Sequence, residues 1–294
     1  MKKFEYYKAD SESAIFAAKR LLIDSIWKQA NIELPGAITF PETLEIFEGR
    51  IPENSDVNKV LVVNNIKHAW QFLLENRDYP IDHQLISEYN KLLGSGGLVQ
   101  NPGQFRRHNV AISATKYVPV IPTLDLIQDK LKAIEAIENP IEKSLSYFAE
   151  IARGQWFSDG NKRTAQMVAN HSLLQMSCGL FAVPVEENTH FVTHLLNFYE
   201  SNDSEQLFDY LYDTSIRILP GGFTPKMIRE ELNLTVPEFI QQEGKIAKED
   251  NFSKSNQKEN NAFYQRMRES DEAYFRQSQA AHSLDKEEHK RKSR

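Results

Sequence analysis

Cysteine is almost absent: Cys178 is the only one in 294 residues, which excludes an internal disulfide framework and a multi-cysteine zinc site. Positive charge is not in excess either. The 35 Lys and Arg against 41 Asp and Glu leave a net -6, which argues against sequence-independent binding of nucleic acid, so no nucleic-acid partner is expected. No uncharged apolar run reaches the roughly 18–20 residues of a bilayer span. Met1-Lys2-Lys3-Phe4-Glu5 lacks the apolar stretch of a secretory signal. A cytoplasmic protein without a membrane span is the expectation. No repeat of fixed period is present. What is present is a 40% hydrophobic share with 17 Phe and 11 Tyr, ample for a real core and unlike a fully disordered, collagen-like or coiled-coil chain.

Charge and periodicity divide the chain. Residues 245–294 hold 12 Lys/Arg against 9 Asp/Glu, and Ile246 and Leu284 are their only branched aliphatics. Such a segment buries little surface alone and reads as a charged tail, partly disordered or helical. Its last turn, Lys290-Arg291-Lys292, is either a weak anionic-surface contact or simply solubilising. Before it, helical spacing dominates. Ser11-Glu12-Ser13 caps a stripe of Ile15, Ala18, Leu22 and Ile26; Ser55-Asp56 opens another with Val57, Leu61, Ala69 and Leu73. Helices are further predicted over 81–93, from Pro122-Thr123 to about 137, and from Asn139-Pro140, where Asn caps and Pro fits the first helical position. Others follow near 161–177, 187–200, 203–217 and 225–233. Strand signal is confined to Asn109–Ser113 and Tyr117–Ile121, a plausible hairpin around Thr115-Lys116. The fold class is mainly α. The division expected is 1–55 (an N-terminal helix and a regulatory helix), 56–220 (a core domain), 221–244 (a helical extension) and 245–294 (the tail).

The chemistry is concentrated in Gly154-Gln155-Trp156-Phe157-Ser158-Asp159-Gly160-Asn161-Lys162-Arg163-Thr164-Ala165. Gly160 falls in a tight loop immediately before a helix. A helix start offers unpaired N–H groups and the positive end of the dipole, glycine permits close approach, and Lys162 and Arg163 add charge. The result suits phosphate, and Asp159 is placed to hold a Mg2+ bridging phosphate oxygens. A capped helix with a solvated Lys-Arg pair satisfies the spacing equally.

Phe157-x-Asp159-Gly160-Asn161-Lys162-Arg163 resembles the core of the Fic motif, His-x-Phe-x-(Asp/Glu)-(Gly/Ala)-Asn-(Gly/Lys)-Arg. Gly103-Gln104-Phe105-Arg106 and Asn109-Val110 resemble the approach to the Fic flap, and the resemblance spans roughly Thr39 to Leu219. It implies a Fic-fold helical bundle with a short β-hairpin flap and transfer of AMP from ATP-Mg2+ to a hydroxyl side chain of a target protein. Asp159 would then be the metal ligand, Asn161 would contact the α-phosphate, Arg163 would hold the β-phosphate, and Gly160 and Lys162 would complete the phosphate site. Phe157 would anchor the loop in the core. The flap near 109–121 would align the target by strand-like pairing, and a homodimer is possible because Fic proteins often dimerise.

The sequence departs from that family at telling positions. Gln155 stands where the catalytic His belongs, and a glutamine amide has no useful basicity near pH 7. No other histidine is an obvious substitute. His108, at the flap entrance, is the only one worth watching, and His190 and His194, four apart without a Glu between, read as ordinary helix residues. Lys162 replaces the common glycine, as in the Doc-like branch whose members phosphorylate. Thr43-Leu44-Glu45-Ile46-Phe47-Glu48-Gly49 resembles the Fic inhibitory helix, with Glu48 as the inhibitory carboxylate, but Thr43 is one residue out of register. Gln166 replaces the second arginine that such a glutamate would pair with, leaving Gln166 or Arg163 as partners for Glu48. Three functions stay open: a slowed or altered Fic transferase, a silent nucleotide- or protein-binding module, and phosphoryl transfer or nucleotide removal. Cys178 reads as a core or boundary residue.

Overall fold

The computed structural model describes residues 4–33, 36–53 and 55–249 together with Gln265 and Glu269, with backbone alone over 245–249. The rest of the charged tail lies outside the described residues.

Twelve α-helices follow in order among the described residues: α1 (Ser11–Arg20), α2 (Leu22–Ala30), α3 (Phe40–Phe47), α4 (Val57–Asn76), α5 (His83–Leu93), α6 (Leu124–Glu135), α7 (Pro140–Gly154), α8 (Asn161–Gln175), α9 (Asn188–Ser201), α10 (Glu205–Ser215), α11 (Pro225–Glu230) and α12 (Val236–Glu249). Most starts are built as the spacing suggests. Asp56 accepts from Asn58 N–H, Asp82 from Gln84 and Leu85, and Asn139 from Ile141 and Glu142, so side chains satisfy donors that a helix start leaves open. Helix α1 is capped by Asp10, one residue before the expected serine cluster. Thr39 and Glu42 form a reciprocal capping box on α3.

Helix α8 is central. Thirteen of its fifteen residues are buried, because α7 packs along it and α5, α4 and α2 close its other sides. A helix enclosed all round cannot be amphipathic, so its polar residues must find internal partners. Asn170 does so by pairing with both Phe181 N–H (2.8 Å) and Phe181 O (2.8 Å). His171 lies between Tyr89 Oη (2.6 Å) and the Tyr79 carbonyl (3.1 Å).

The fold is helical, with one small antiparallel strand pair among the described residues. That pair is β1 (Gly179–Phe181) with β2 (Ile216–Ile218), in register Gly179 to Ile218 and Phe181 to Ile216. It is not where the sequence suggested a hairpin. Residues 109–121 pass through a turn at Ser113-Ala114, with Ala114 at φ 63°, and form no strand pairing. Pro119 deprives that run of a ladder donor, and Pro122 follows directly at its end.

Burial pushes the His171 imidazole down to about 4, so the folded protein keeps it neutral. The unfolded chain binds that proton more readily between about pH 6.5 and 4. Stability therefore falls as pH falls through this window, by up to about 3 kcal/mol from this residue. Urea midpoints at pH 7 and 4.5 should show the loss, and a His171→Phe variant should show a smaller one; equal slopes would contradict the assignment. Cys178 is fully buried and its thiol is pushed up to about 12, which makes it an inert core residue. His190 pairs with Glu187 (3.2 Å) and the His194 ring stacks on Tyr210. Among the described residues no group of three or more His, Cys, Asp or Glu could hold a metal ion, and no helix is long and apolar enough to cross a membrane.

Candidate functional site

The turn between α7 and α8 brings the motif residues together. Helix α7 ends because Gln155 adopts the left-handed conformation (φ 44°, ψ 57°). Trp156 and Phe157 then turn inward, 3% and 1% exposed. Phe157 pairs with Phe105 through a single β-bridge, and the two rings stack at 5.0 Å with a 26° interplanar angle. Phe157 thus takes the core position expected of it.

Asn161 fastens the turn from inside. Its Oδ1 accepts from Phe157 N–H (2.9 Å), while Nδ2 donates to Phe157 O (2.8 Å) and to Gln155 Oε1 (3.1 Å). Gln155 Nε2 in turn donates to Ala152 O (2.6 Å). Both ends of the Gln155 amide are therefore engaged by the protein itself. Tyr199 is buried close by, and burial foremost, with Glu33 nearby, raises its phenol well above the ordinary tyrosine range. That hydroxyl stays protonated.

Gly160 precedes α8 at φ 75°, a conformation that glycine adopts freely. A Cβ there would also come within 3.3 Å of Asn90 Nδ2 and 3.8 Å of Arg163 Nη2. Arg163 is 7% exposed, and its Nε is buried without a hydrogen-bond partner. A buried guanidinium donor left open is costly, and it lies one turn from a helix start whose dipole also favours an anion. Asp159 is exposed; its Oδ1 accepts from Gly160 N–H at 2.5 Å.

Two residues outside the motif complete the turn. Asn90, on α5, is 1% exposed. It donates to the Asp159 carbonyl (3.0 Å) and to Thr164 Oγ1 (3.1 Å) and accepts from Gly103 N–H (2.8 Å). Gly103 is needed at that junction: at φ 78°, a Cβ would lie 2.9 Å from the Ser87 carbonyl oxygen. Glu33, after α2, forms an ion pair with Lys162 at 2.7 Å. Helix α2 also reaches the site through Gln29, whose Nε2 donates to Arg163 O (3.0 Å).

Glu48 finds its ion-pair partner elsewhere. It caps the end of α3 and pairs with its neighbour Arg50 at the surface, while Gln166 donates to Phe181 O (3.1 Å). The upstream carboxylate that does reach the motif is Glu33. His108 is exposed and contributes its carbonyl to Arg106 (2.7 Å).

The Fic/DOC family model matches residues 80–173. Among solved structures, Fic-1 from C. elegans is similar at 19% identity, covering 66% of this chain and 61% of that one, with a TM-score of 0.54. A Fic domain containing signaling protein from Bacteroides thetaiotaomicron is similar at 16% identity, covering 66% and 82%, with a TM-score of 0.56. A Fic family protein from Desulfovibrio desulfuricans gives 18%, 68%, 61% and 0.52. The matched region spans about three fifths of the C. elegans and Desulfovibrio chains, and at these identities the likeness is one of fold. No curated protein matches the sequence. Residues 80–173, which build the turn and the helices around it, form a Fic/DOC-family domain.

Proposed function

We propose that the turn from Asp159 to Arg163 holds ATP with Mg2+, and that AMP transfer from it to a protein hydroxyl is slow because Gln155 is no base. The observation that carries this reading is the buried Arg163 Nε without a partner, beside positive-φ Gly160 at the start of α8. An anion placed there meets an unmatched donor and the positive helix end at once. Asp159 suits Mg2+ in particular: one exposed carboxylate without companion ligands matches a cation held largely by substrate phosphates and water. Mg2+, when bound, neutralises phosphate charge.

The transfer forms a bond from the target hydroxyl oxygen to the α-phosphorus and breaks the bond to the β-phosphate, releasing pyrophosphate. The hydroxyl proton needs an acceptor. Gln155 supplies none, and Tyr199 stays protonated. A silent nucleotide-binding module is the second reading, favoured by the double engagement of the Gln155 amide. ATP labelled at the α- or γ-phosphate, incubated with lysate, wild-type protein and Gln155→His, separates them. Weak α-label in the wild type and strong α-label in the variant support slow transfer, whereas γ-label alone would replace it with phosphoryl transfer. Absence of α-label in the wild type alone would leave the silent module.

Lys162 makes a smaller contribution. Its partner Glu33 must yield before Lys162 can face a phosphate, and the pair is part-exposed (24% and 32%), so it is weak. Glu33→Gln should tighten ATP-Mg2+ binding by about two- to fivefold, the range of a pair worth ~0.4–1 kcal/mol. Titration calorimetry checks this; weaker binding in the variant would assign Glu33 to the nucleotide site instead.

A further inference from the structure

The structure assigns Arg106 a positioning role: it ties the extended 117–121 segment to the Gln155 turn, so that a docked target and the base position share one fixed frame. Only the target's place in that frame rests on the proposed function. The tie itself stands on geometry.

Arg106 is 2% exposed and has no ion-pair partner among the described residues. Its side chain donates only to carbonyl oxygens. Nε donates to Gln155 O, Nη1 to His108 O, and Nη2 to Val120 O (2.6 Å), Pro119 O (3.1 Å) and Gly154 O (3.3 Å). Its backbone N–H donates to Trp156 O (3.0 Å). Gly154 and Gln155 lie at the end of α7, where unpaired carbonyls and the negative dipole end favour a cation. The planar guanidinium joins both groups of carbonyls at once, which the point donor of a lysine cannot reproduce.

Neighbouring contacts hold the same segment. The Arg153 guanidinium lies 3.9 Å from the centre of the Tyr117 ring, and Arg153 Nε donates to Tyr199 O (3.1 Å). Glu200 accepts from Lys116 N–H (2.7 Å) and from the Thr115 hydroxyl. Residues 115–120 are thus fixed at three points, two of them through groups flanking Gln155.

This arrangement also changes how a target would dock. The carbonyls of both Pro119 and Val120 face Arg106, although successive carbonyls of a regular strand point opposite ways. Pro119 and Pro122 offer no N–H. Few main-chain groups beyond those of Val118 and Ile121 remain to pair, so the segment acts as a fixed rail more than as a long ladder.

Limited trypsin digestion of the full chain, followed by mass spectrometry, tests the tie without ATP. Arg106→Lys should speed cleavage after Lys116 by about tenfold or more through local opening. Cleavage after Lys143 and Arg163, inside α7 and α8, should stay unchanged, and ATP-Mg2+ affinity should stay within about twofold of wild type. A rise shared by all three bonds would mean a general structural role, and no rise would mean no tie; either overturns the proposal. If Arg106→Lys yields no folded protein, Arg106→Gln examined with Arg153→Leu decides. The proposal expects the larger rise after Lys116 from the Arg106 variant, and a rise confined to Arg153→Leu overturns it. In a Gln155→His background, Arg106→Lys should raise the target KM while leaving the ATP KM unchanged. A chain that binds no ATP yet shows the local opening refutes the proposed function and leaves this inference standing.

Discussion

If the turn transfers AMP as proposed, Gln155→His should raise the rate by on the order of 10²–10⁴, the range that a positioned general base contributes. At about 1.4 kcal/mol per decade this is roughly 3–5 kcal/mol of barrier. Residue 155 sits at φ 44° and ψ 57°, a left-handed conformation in which histidine is enriched over most side chains. The substitution therefore adds no new backbone strain. The imidazole would take the place of an amide now held by Ala152 O and Asn161 Nδ2, and Asn161 keeps its two bonds to Phe157. Tyr199 cannot already serve as the base, since burial keeps its hydroxyl protonated. Initial rates with α-labelled ATP measure the gain. A variant no faster than wild type would mean that the turn holds nucleotide in a geometry unsuited to transfer.

Phe157→Ala should cost about 3–5 kcal/mol of stability, as truncating a buried phenylalanine does. Phe157 is 1% exposed and stacks on Phe105, so its loss leaves a cavity between the turn and the Phe105 ring. Its backbone is held by Asn161 at both N–H and C=O, which limits how far the turn can collapse to fill the space. Against a total stability of roughly 5–15 kcal/mol this is a large fraction. Urea unfolding of Phe157→Ala beside Phe157→Leu measures it. A loss under about 1 kcal/mol for the alanine variant would show that the ring does not anchor the turn.

Much of this architecture was legible in the sequence, for identifiable reasons. Asp56, Asp82 and Asn139-Pro140 announce helix starts by local chemistry, and α5 to α8 fall where apolar spacing puts them. The turn from Gln155 to Arg163 was legible because its parts are contiguous. Other features depend on distance in the chain. Asn90, Arg106 and Glu33 reach the turn from segments far upstream, and a polar side chain carries no local sign of which remote carbonyl it will meet. Strands β1 and β2, three residues each, are too short for alternation to show. Glu48 is a related case. Resemblance placed a helix near residues 43–49, whereas the Thr39–Glu42 capping box starts α3 earlier and leaves Glu48 at its end beside Arg50. The hairpin expected at 109–121 does not form: Pro119 and the carbonyls held by Arg106 work against the pairing that alternation suggests.

On the proposed reading the Gly160–Arg163 turn binds phosphate although Gln155 is no base. Titration calorimetry of ATP with Mg2+ against wild type and Arg163→Ala tests it most directly, with thermal unfolding confirming that both are folded. The account predicts saturable binding by the wild type and at least about a tenfold loss in the variant, a difference of ~1.4 kcal/mol or more. Equal affinities, or no binding by the wild type at millimolar ATP, would contradict it.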